Sequence, residues 1–259
     1  MKHLLPNKLV LAFAILFTTP SHAFDHTHKS WSAILSKYVV KNGAASTVRY
    51  KALKEEARDF SEYLSSLSSV NNSEFNSFSA DEKLAFLINA YNAFTLKLII
   101  DRYPVKSIKD IGSIIKSSWR IKFFSFLGEK RHLDNLEHDM IRKWFTEPRI
   151  HFAVVCASIG CPALRSEAYQ AIKLDTQLEE GALTFIGDPS RNRFFPEQRK
   201  LEISPIFKWY AEDFIKMAGS VEAFIASRIT NNPELQKIIS EKKVTLAFTN
   251  YDWSLNDAK

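Results

Sequence analysis

Residues 84–100 read LAFLINAYNAFTLKLII, and this stretch decides the architecture. Its apolar side chains cover nearly every face of a helix. Ser79, followed by Glu82 three residues later, is the signature of a capping box at its start, and Pro104 ends it. A helix that is apolar all round belongs at the centre of a protein. The sequence therefore predicts a helix over about residues 80–103 in the middle of the core.

The patterns on both sides of this helix predict the fold class. Helical spacing occurs at 31–40, 53–67, 135–145, 167–186, 205–216, 221–229 and 233–240, and strand patterns occur at 119–127, 130–133, 150–156, 193–203 and 244–248. The Ser/Asn-rich stretch 65–79 is typical of a loop. Helices and strands do not alternate regularly, which excludes a doubly wound sheet. We expect an α+β fold, a single predominantly helical domain with a small, largely antiparallel sheet.

Composition excludes several classes of protein. The chain has 259 residues, of which 46% are hydrophobic, so it is not intrinsically disordered. Twenty Phe against seven Gly indicate a thick aromatic core rather than a Gly-rich repeat. The net charge of +6 is a mild excess, and the most basic stretch, 116–131, is also rich in Phe and Ile. It predicts a solvated sheet face, and we expect no nucleic-acid partner.

The amino terminus has the pattern of a signal peptide. Lys2, His3 and Lys8 precede the apolar run 9–17, and Ser21-His22-Ala23 supplies a cleavage pattern. The run spans about 14 Å as a helix, far less than the hydrocarbon core of a bilayer. The prediction is a periplasmic or secreted protein with no transmembrane segment after cleavage. Residues 1–23 are the signal peptide, 24–44 an N-terminal arm and first helix, and 45–259 a globular domain without internal linkers.

The segment Cys156-Ala157-Ser158-Ile159-Gly160-Cys161-Pro162 is the first place where polar chemistry meets the core. Two cysteines in an exported chain predict a disulfide. Alternatively, Cys156 is a nucleophile at the end of a buried strand, and amides near Gly160 face an oxyanion. Two inert buried thiols are the third possibility. The sequence leaves all three open.

Glu137 and His138 form the second candidate group. Asp134 and Glu137 have capping-box spacing, yet Glu137 also shares a helix face with apolar residues, where a carboxylate needs a partner. His138 lies one turn before Arg142 and is a candidate general base, with a purely structural role as the alternative.

His151, Asn89 and Asn92 complete the set. On the predicted strand His151 and Cys156 point to opposite faces, which favours His138 over His151 as the base for Cys156. Asn89 and Asn92 share one face of the central helix. They are expected either to fix a neighbouring backbone loop or to line a pocket beside Cys156.

Metal and cofactor motifs give no comparable signal. Candidate ligands are His132, His138, His151, Cys156, Cys161 and Glu137, but no C-x-x-C or H-E-x-x-H spacing joins them. No P-loop, G-x-G-x-x-G or G-x-S-x-G occurs. We predict neither a metal nor a cofactor.

Aromatic residues near the carboxyl terminus are expected to pack rather than to bind. Ile206-Phe207-Lys208-Trp209-Tyr210 has helical aromatic spacing, which favours core over a ligand cage. Tyr251-Asp252-Trp253 is predicted to form an aromatic lid against the core, and Asp252 is an alternative partner for a histidine.

Several blocks carry a family resemblance. They are FLINAYNA (86–93), LEHDMIR (136–142), IHFAVVCASIGCPALR (150–165), IFKWYAEDF (206–214) and YDWSLN (251–256). In this order, over most of residues 45–256, the chain resembles the domain of unknown function 547 family. The resemblance implies that the family signature falls on Glu137, His138, His151, Cys156, Ser158, Cys161 and Arg165. Val155 stands where many relatives are expected to have Asn. The family has no settled activity, so the resemblance implies no mechanism.

Two hypotheses follow from these residues. In the first, the protein is a cysteine-dependent hydrolase or acyl transferase for an amide, ester or thioester of a small molecule or peptide. Cys156 attacks, His138 or His151 carries the proton, and Glu137 orients the imidazole. Arg165, Ser158, Asn89 and Asn92 are the substrate-binding candidates. In the second, the protein is a non-enzymatic envelope binding or assembly module with a structural Cys156–Cys161 disulfide. Neither hypothesis specifies an oligomeric state.

Overall fold

A computed structural model describes residues 23–113 and 115–258, and helix α5 (Ala80–Arg102) lies at its centre. The predicted capping box is confirmed, because the Ser79 amide donates to Glu82 Oε2 at 2.8 Å and the Glu82 amide to Ser79 Oγ at 3.3 Å. Within the described residues this is the one helix long and apolar enough to cross a membrane, but 89% of its apolar window is buried in the protein. It is therefore the predicted core helix. The proposed signal peptide lies outside the described residues, apart from Ala23, and stays a prediction.

Shorter helices surround α5. The described α-helices are α1 (Lys29–Tyr38), α2 (Tyr50–Glu55), α3 (Arg58–Ser69), α4 (Asn72–Ser77), α5, α6 (Arg142–Trp144), α7 (Leu174–Ile186), α8 (Ile206–Trp209), α9 (Ala211–Ala218), α10 (Val221–Ile229) and α11 (Pro233–Ser240). A π-helix spans Asn135–Ile141, and 3₁₀ turns occupy Ile108–Ile111, Ser118–Arg120, Pro148–Phe152, Ala171–Lys173 and Pro196–Gln198. The predicted bounds of α10 and α11 are exact. The helix predicted at 205–216 is split in two at Tyr210.

The strands are short and form three small sheets. They are β1 (Val39–Asn42), β2 (Ala45–Val48), β3 (Phe124–Phe126), β4 (Glu129–Arg131), β5 (Arg193–Phe195), β6 (Lys200–Ile203) and β7 (Thr245–Phe248). Strand pairs β1–β2, β3–β4 and β5–β6 are antiparallel, and β6–β7 is parallel, with Leu201 opposite Leu246. The prediction of a predominantly helical α+β fold with largely antiparallel strands is confirmed.

Near the amino terminus one element was not predicted, and one prediction was wrong. The hairpin β1–β2 was not expected, and it crosses the boundary placed at residue 44. The stretch 65–79 is not a loop, because α3 continues to Ser69 and α4 follows. The Asn71 side chain accepts the Glu74 amide at 2.9 Å, so the polar residues that resemble a loop in fact cap a helix.

The predicted strand at 150–156 is also absent. Its first residues form the 3₁₀ turn Pro148–Phe152, and the rest is irregular. The Asn92 side chain of α5 donates to Ala153 O and accepts from Val155 N, both at 2.9 Å. These backbone groups therefore have a side-chain partner in place of a neighbouring strand. His151 and Cys156 therefore do not lie on opposite faces of one strand.

A second amide of α5 holds another segment in the same way. The Asn89 side chain donates to Tyr169 O at 2.8 Å and accepts from Tyr169 N at 3.0 Å. The backbone at Tyr169 is thus bonded to α5, and α7 begins at Leu174, not near residue 167 as predicted. Both asparagines thus have the loop-fixing role, one of the two expected from the sequence.

The described residues bury two hydrophobic clusters. The larger surrounds α5, and the smaller contains Phe152, Phe185, Phe207, Phe214 and Phe224. The carboxyl-terminal segment 251–256 crosses the Cys156–Cys161 loop, and Ser254 and Asp252 accept hydrogen bonds from the amides of Ile159 and Gly160. Side chains from both clusters and from this segment enclose one cavity.

Candidate functional site

A cavity of about 230 Å³ collects all four catalytic candidates, Glu137, His138, His151 and Cys156. They come from the π-helix, the 3₁₀ turn and the loop that follows it. Aromatic side chains supply much of the remaining lining, namely Tyr91, Trp119, Trp209, Tyr210, Tyr251 and Trp253. Convergence of separate segments on one concave apolar site is typical of a binding or catalytic pocket.

Glu137 is delivered to the cavity by the π-helix. The predicted α-helix over 135–145 is wound instead with the Arg142 amide bonded to Glu137 O, and π segments frequently occur at functional sites. The Glu137 side chain is buried, and the Tyr210 hydroxyl donates to its Oε1 at 2.6 Å. Burial and the nearby Glu137 charge raise the pKa of Tyr210, which therefore stays a hydroxyl donor. The capping-box interpretation of Glu137 is wrong, because Asp134 makes no side-chain cap.

His151 is oriented by an acid that the sequence analysis did not single out. Its Nε2 lies 2.7 Å from Asp213 Oδ2, and its ring stacks on Tyr210 with a centroid distance of 3.8 Å. The imidazole is 3% exposed, and its Nδ1 has no hydrogen-bond partner among the described residues. Burial lowers the pKa of His151, although Asp213 opposes that shift. A neutral ring with its proton on Nε2 leaves a free lone pair on Nδ1.

Asp213 is held as a carboxylate. Burial alone would raise its pKa, but hydrogen bonds from His151 and Arg142 bring the pKa well below its usual value. Arg142 binds both oxygens, Nε to Oδ2 at 2.6 Å and Nη2 to Oδ1 at 3.1 Å. This bidentate pair fixes the acid that in turn fixes the imidazole.

His138 lies at the rim of the same cavity. Its side chain is 39% exposed, its Nδ1 lies 3.0 Å from Arg142 Nη1, and its Nε2 lies 3.8 Å from Asp134. The guanidinium occupies the lone pair of Nδ1, since arginine can only donate. The geometry therefore favours His151 over His138 as a general base.

The sulfurs of Cys156 and Cys161 lie within disulfide bonding distance, and their Cα atoms are 6.2 Å apart, within the usual range. Of the three alternatives, the structure has the disulfide. Cys156 Sγ also lies 3.0 Å from Ser158 Oγ and 3.1 Å from the Tyr251 hydroxyl. No imidazole of the described residues is hydrogen-bonded to either sulfur.

The expected oxyanion site on the loop backbone was wrong. The Ile159 amide donates to Ser254 O at 2.9 Å and the Gly160 amide to Asp252 O at 2.8 Å, so both donors are already used. Two hydroxyl groups, those of Ser158 and Tyr251, lie beside the Cys156 sulfur, and the Tyr251 hydroxyl is the candidate donor. Burial raises the pKa of Tyr251 to about 12, although Ser158 and Arg191 oppose the shift, and the phenol stays protonated at neutral pH.

A comparison with protein families finds a match to the middle of this chain. Residues 75–186 match the family model described as "Protein of unknown function, DUF547". Over this segment the chain is similar to the DUF547 family. The match contains Glu137, His138, His151 and both cysteines, whereas Asp213 and Tyr251 lie beyond it. No curated protein and no solved structure matches the chain.

The DUF547 segment does not bring every predicted residue to the cavity. Ser158 contacts Cys156, but Arg165 lines a separate pocket, where it pairs with Glu167 at 2.7 Å and Glu180 at 2.9 Å. Asn89 and Asn92 bind backbone, as described above. Within residues 23–113 and 115–258 no three His, Cys, Asp or Glu side chains are grouped to hold a metal ion.

Two residues beyond the DUF547 match were missed by sequence reasoning. Asp213 is the acid that meets a histidine, whereas Asp252 is exposed and bonds the Ser254 amide at 2.8 Å. Trp209 is not core, since it is 46% exposed and lines the cavity. A usable signal was the block IFKWYAEDF, in which Trp209, Tyr210 and Asp213 occur together.

Proposed function

We propose that this DUF547 protein is an exported thiol-dependent hydrolase or acyl transferase that acts on an ester, amide or thioester of a small molecule or peptide. The observation that carries the proposal is the cavity itself. Its lining contains Cys156 and an imidazole whose Nε2 is held by Asp213 and whose Nδ1 has no hydrogen-bond partner in the part of the chain that the structure describes. This is the arrangement of a general base, in which the second nitrogen is positioned by a carboxylate.

The proposed reaction has two steps. The Cys156 sulfur forms a bond to the substrate carbonyl carbon, and the leaving alcohol, thiol or amine takes the proton that His151 received from the thiol. Water or an acceptor alcohol then attacks the thioester, giving its proton to His151, and the Cys156 thiol is restored. The Tyr251 hydroxyl donates to the carbonyl oxygen as negative charge develops there. Glu137 and Tyr210 support the imidazole from its stacked face.

The disulfide is the resting form in this scheme. A dithiol reductant cleaves the Cys156–Cys161 bond, is itself oxidised to a disulfide, and releases the two thiols. Only then is Cys156 a nucleophile. The amino-terminal sequence supports export, and a periplasmic or secreted location is part of the proposal.

A second function is favoured by one specific observation. The two sulfurs lie within bonding distance, and the loop between them is tied to segment 251–256 through Ile159 and Gly160. A permanent structural disulfide in a non-enzymatic binding module would hold the loop against this segment in the same way.

The cysteine variants separate the two functions. Cys161→Ser leaves Cys156 as a thiol without reductant, and Cys156→Ser is its matched control. For the hydrolase we expect Cys161→Ser to hydrolyse p-nitrophenyl esters or acyl thioesters without reductant, the wild type to do so only after treatment with a dithiol, and Cys156→Ser to be inactive in both conditions.

A second readout does not depend on the choice of substrate. The rate of alkylation of Cys156 by iodoacetamide, followed against pH in Cys161→Ser, gives the pKa of the thiol. A pKa below that of a free thiol, which rises in the additional variant His151→Ala, supports the enzyme. An ordinary thiol pKa that is indifferent to His151 overturns it and leaves the binding module.

A further inference from the structure

The outer wall of the cavity is a continuous aromatic surface. Trp209, Tyr251 and Trp253 contact one another, with ring centroids 4.6 Å to 5.7 Å apart. Trp119 meets Trp253 edge-on at 6.0 Å. These four residues, the aromatic wall, come from the 3₁₀ turn Ser118–Arg120, α8 and segment 251–256.

The cavity is also anionic in a basic protein. The chain carries a net charge of +6, yet no lysine or arginine of the described residues lines the cavity. The neighbouring carboxylates have cationic partners, Asp134 with Arg120 at 3.1 Å and Asp213 with Arg142 at 2.6 Å. Glu137 differs, because it is 4% exposed and has a tyrosine hydroxyl, but no lysine or arginine of the described residues, as its partner. A buried carboxylate without a cation is costly, and a bound cation would remove that cost.

The aromatic wall already attracts one cation. The Lys109 ammonium lies 3.6 Å from the centroid of the Trp253 ring. Tryptophan is the best aromatic partner for a cation, and alkylated ammonium groups, which are weakly hydrated, gain most from such a surface. The cavity volume of about 230 Å³ suits a head group rather than a drug-sized ligand.

We propose that the cavity binds a ligand bearing a quaternary ammonium group, with the alkyl groups against the aromatic wall and the charge facing Glu137. The inference deepens the proposed function, on which it rests only in taking this cavity as the substrate site. It assigns the substrate class as an ester, amide or thioester that carries a fixed positive charge.

The test compares two probes of the same shape. Choline and its uncharged analogue 3,3-dimethylbutanol are titrated into the full exported chain with its disulfide intact, where no turnover occurs, and binding is followed by tryptophan fluorescence and calorimetry. We expect saturable binding of choline and at least tenfold weaker binding of the uncharged analogue. Equal affinities, or no saturable binding of choline, would overturn the inference.

Variants locate the binding. Trp253→Leu is expected to weaken choline binding about fivefold to thirtyfold, the range of a desolvated cation–π contact. Glu137→Gln should weaken choline and leave the uncharged analogue unchanged. Trp144→Leu is the matched control, since Trp144 is 49% exposed and does not line the cavity. An equal loss in Trp144→Leu contradicts the location, and circular dichroism verifies that each variant is folded. If choline does not bind but Cys161→Ser is active, the ligand class is wrong and the enzyme proposal stands. If choline binds but Cys161→Ser is inactive, the enzyme proposal is wrong and the ligand class stands.

Discussion

His151 Nε2 lies 2.7 Å from Asp213 Oδ2, although 62 positions separate the two residues in the chain. The contact joins the 3₁₀ turn Pro148–Phe152 to α9, and Arg142 donates to both oxygens of the same carboxylate. The carboxylate fixes one nitrogen of the ring and leaves the other without a partner among the described residues. A substitution at Asp213 should therefore change the orientation of the imidazole directly.

Replacing Asp213 tests this orientation. Asp213→Asn removes the charge that stabilises the protonated ring, so the pKa of His151 should fall further below its ordinary value. We expect the acid-side limb of the rate profile of Cys161→Ser to move to lower pH and the rate to fall about 10²-fold to 10⁴-fold. NMR titration of the imidazole checks the shift. Asp213→Glu should retain part of it, and an unchanged titration in Asp213→Asn would contradict the pairing.

A second histidine makes stability depend on pH. His28 is 1% exposed, its Nδ1 lies 2.8 Å from the Tyr63 hydroxyl, and burial lowers its pKa to about 3. Below pH 6.5 this histidine is protonated in the unfolded chain but stays neutral in the folded chain, so the free energy of unfolding decreases as pH falls. Between pH 7 and pH 5 this loss should be about 2 kcal/mol in the free energy of unfolding.

Urea unfolding of the wild type and His28→Gln at both pH values measures it. The variant should be less stable at pH 7 but should lose less between pH 7 and pH 5. His151, whose pKa is also lowered, keeps the slope of the variant above zero. Identical slopes in the two proteins would refute the assignment.

The close approach of Tyr251 to the cysteine loop requires glycine at position 160. A Cβ there would lie 2.9 Å from Tyr251 Cδ1 and 3.0 Å from Asp252 O. Gly160→Ala should therefore displace segment 251–256 and destabilise the protein by about 1–3 kcal/mol. Thermal unfolding is the measurement. Gly181→Ala is the matched control, because Gly181 lies inside α7 with no contact closer than 3.4 Å, and alanine there should be neutral or stabilising.

Local signals predicted the elements that depend on them. The capping box and apolar run of α5, and the Pro233 start of α11, are visible in the sequence and recur in the structure. The strand predicted at 150–156 was wrong because a short apolar stretch fits a strand or a buried turn equally well. The conformation of this run depends on Asn92, which lies 61 positions before its partner Ala153 and is hydrogen-bonded to the loop backbone.

The residues of the candidate site also divide into those that local sequence identifies and those that only the fold brings together. Glu137, His138, His151 and Cys156 could be named from their residue types and blocks, and they do share one cavity. Asp213 could not, because one acid on an amphipathic helix such as α9 is indistinguishable from a solvated one until the fold brings it to a histidine. The prediction that Trp209 belongs to the core was wrong for a related reason. Helical spacing does not distinguish an aromatic residue that lines a cavity from one that fills a core.

The contacts of Phe24 allow an energetic test of the proposed cleavage after Ala23. The Phe24 nitrogen donates to Glu74 Oε1 at 2.8 Å, and its ring meets Phe86 at 4.9 Å. Cleavage would turn this amide into an ammonium group, and hydrogen bonds to charged groups are stronger by about 1 kcal/mol. Glu74→Gln should therefore destabilise a chain that begins at Phe24 by about 1 kcal/mol more than a chain that retains Ser21-His22-Ala23.

Urea unfolding of these four proteins at pH 7 measures the coupling, and mass spectrometry of the exported protein fixes its first residue. At pH 9 the amino group is largely uncharged, so the difference should shrink. Glu62→Gln is the control, because its exposed pair with Arg58 is expected to contribute little in either chain. If Glu74→Gln costs the same in the long and the short chain, the mature amino terminus is not what Glu74 binds.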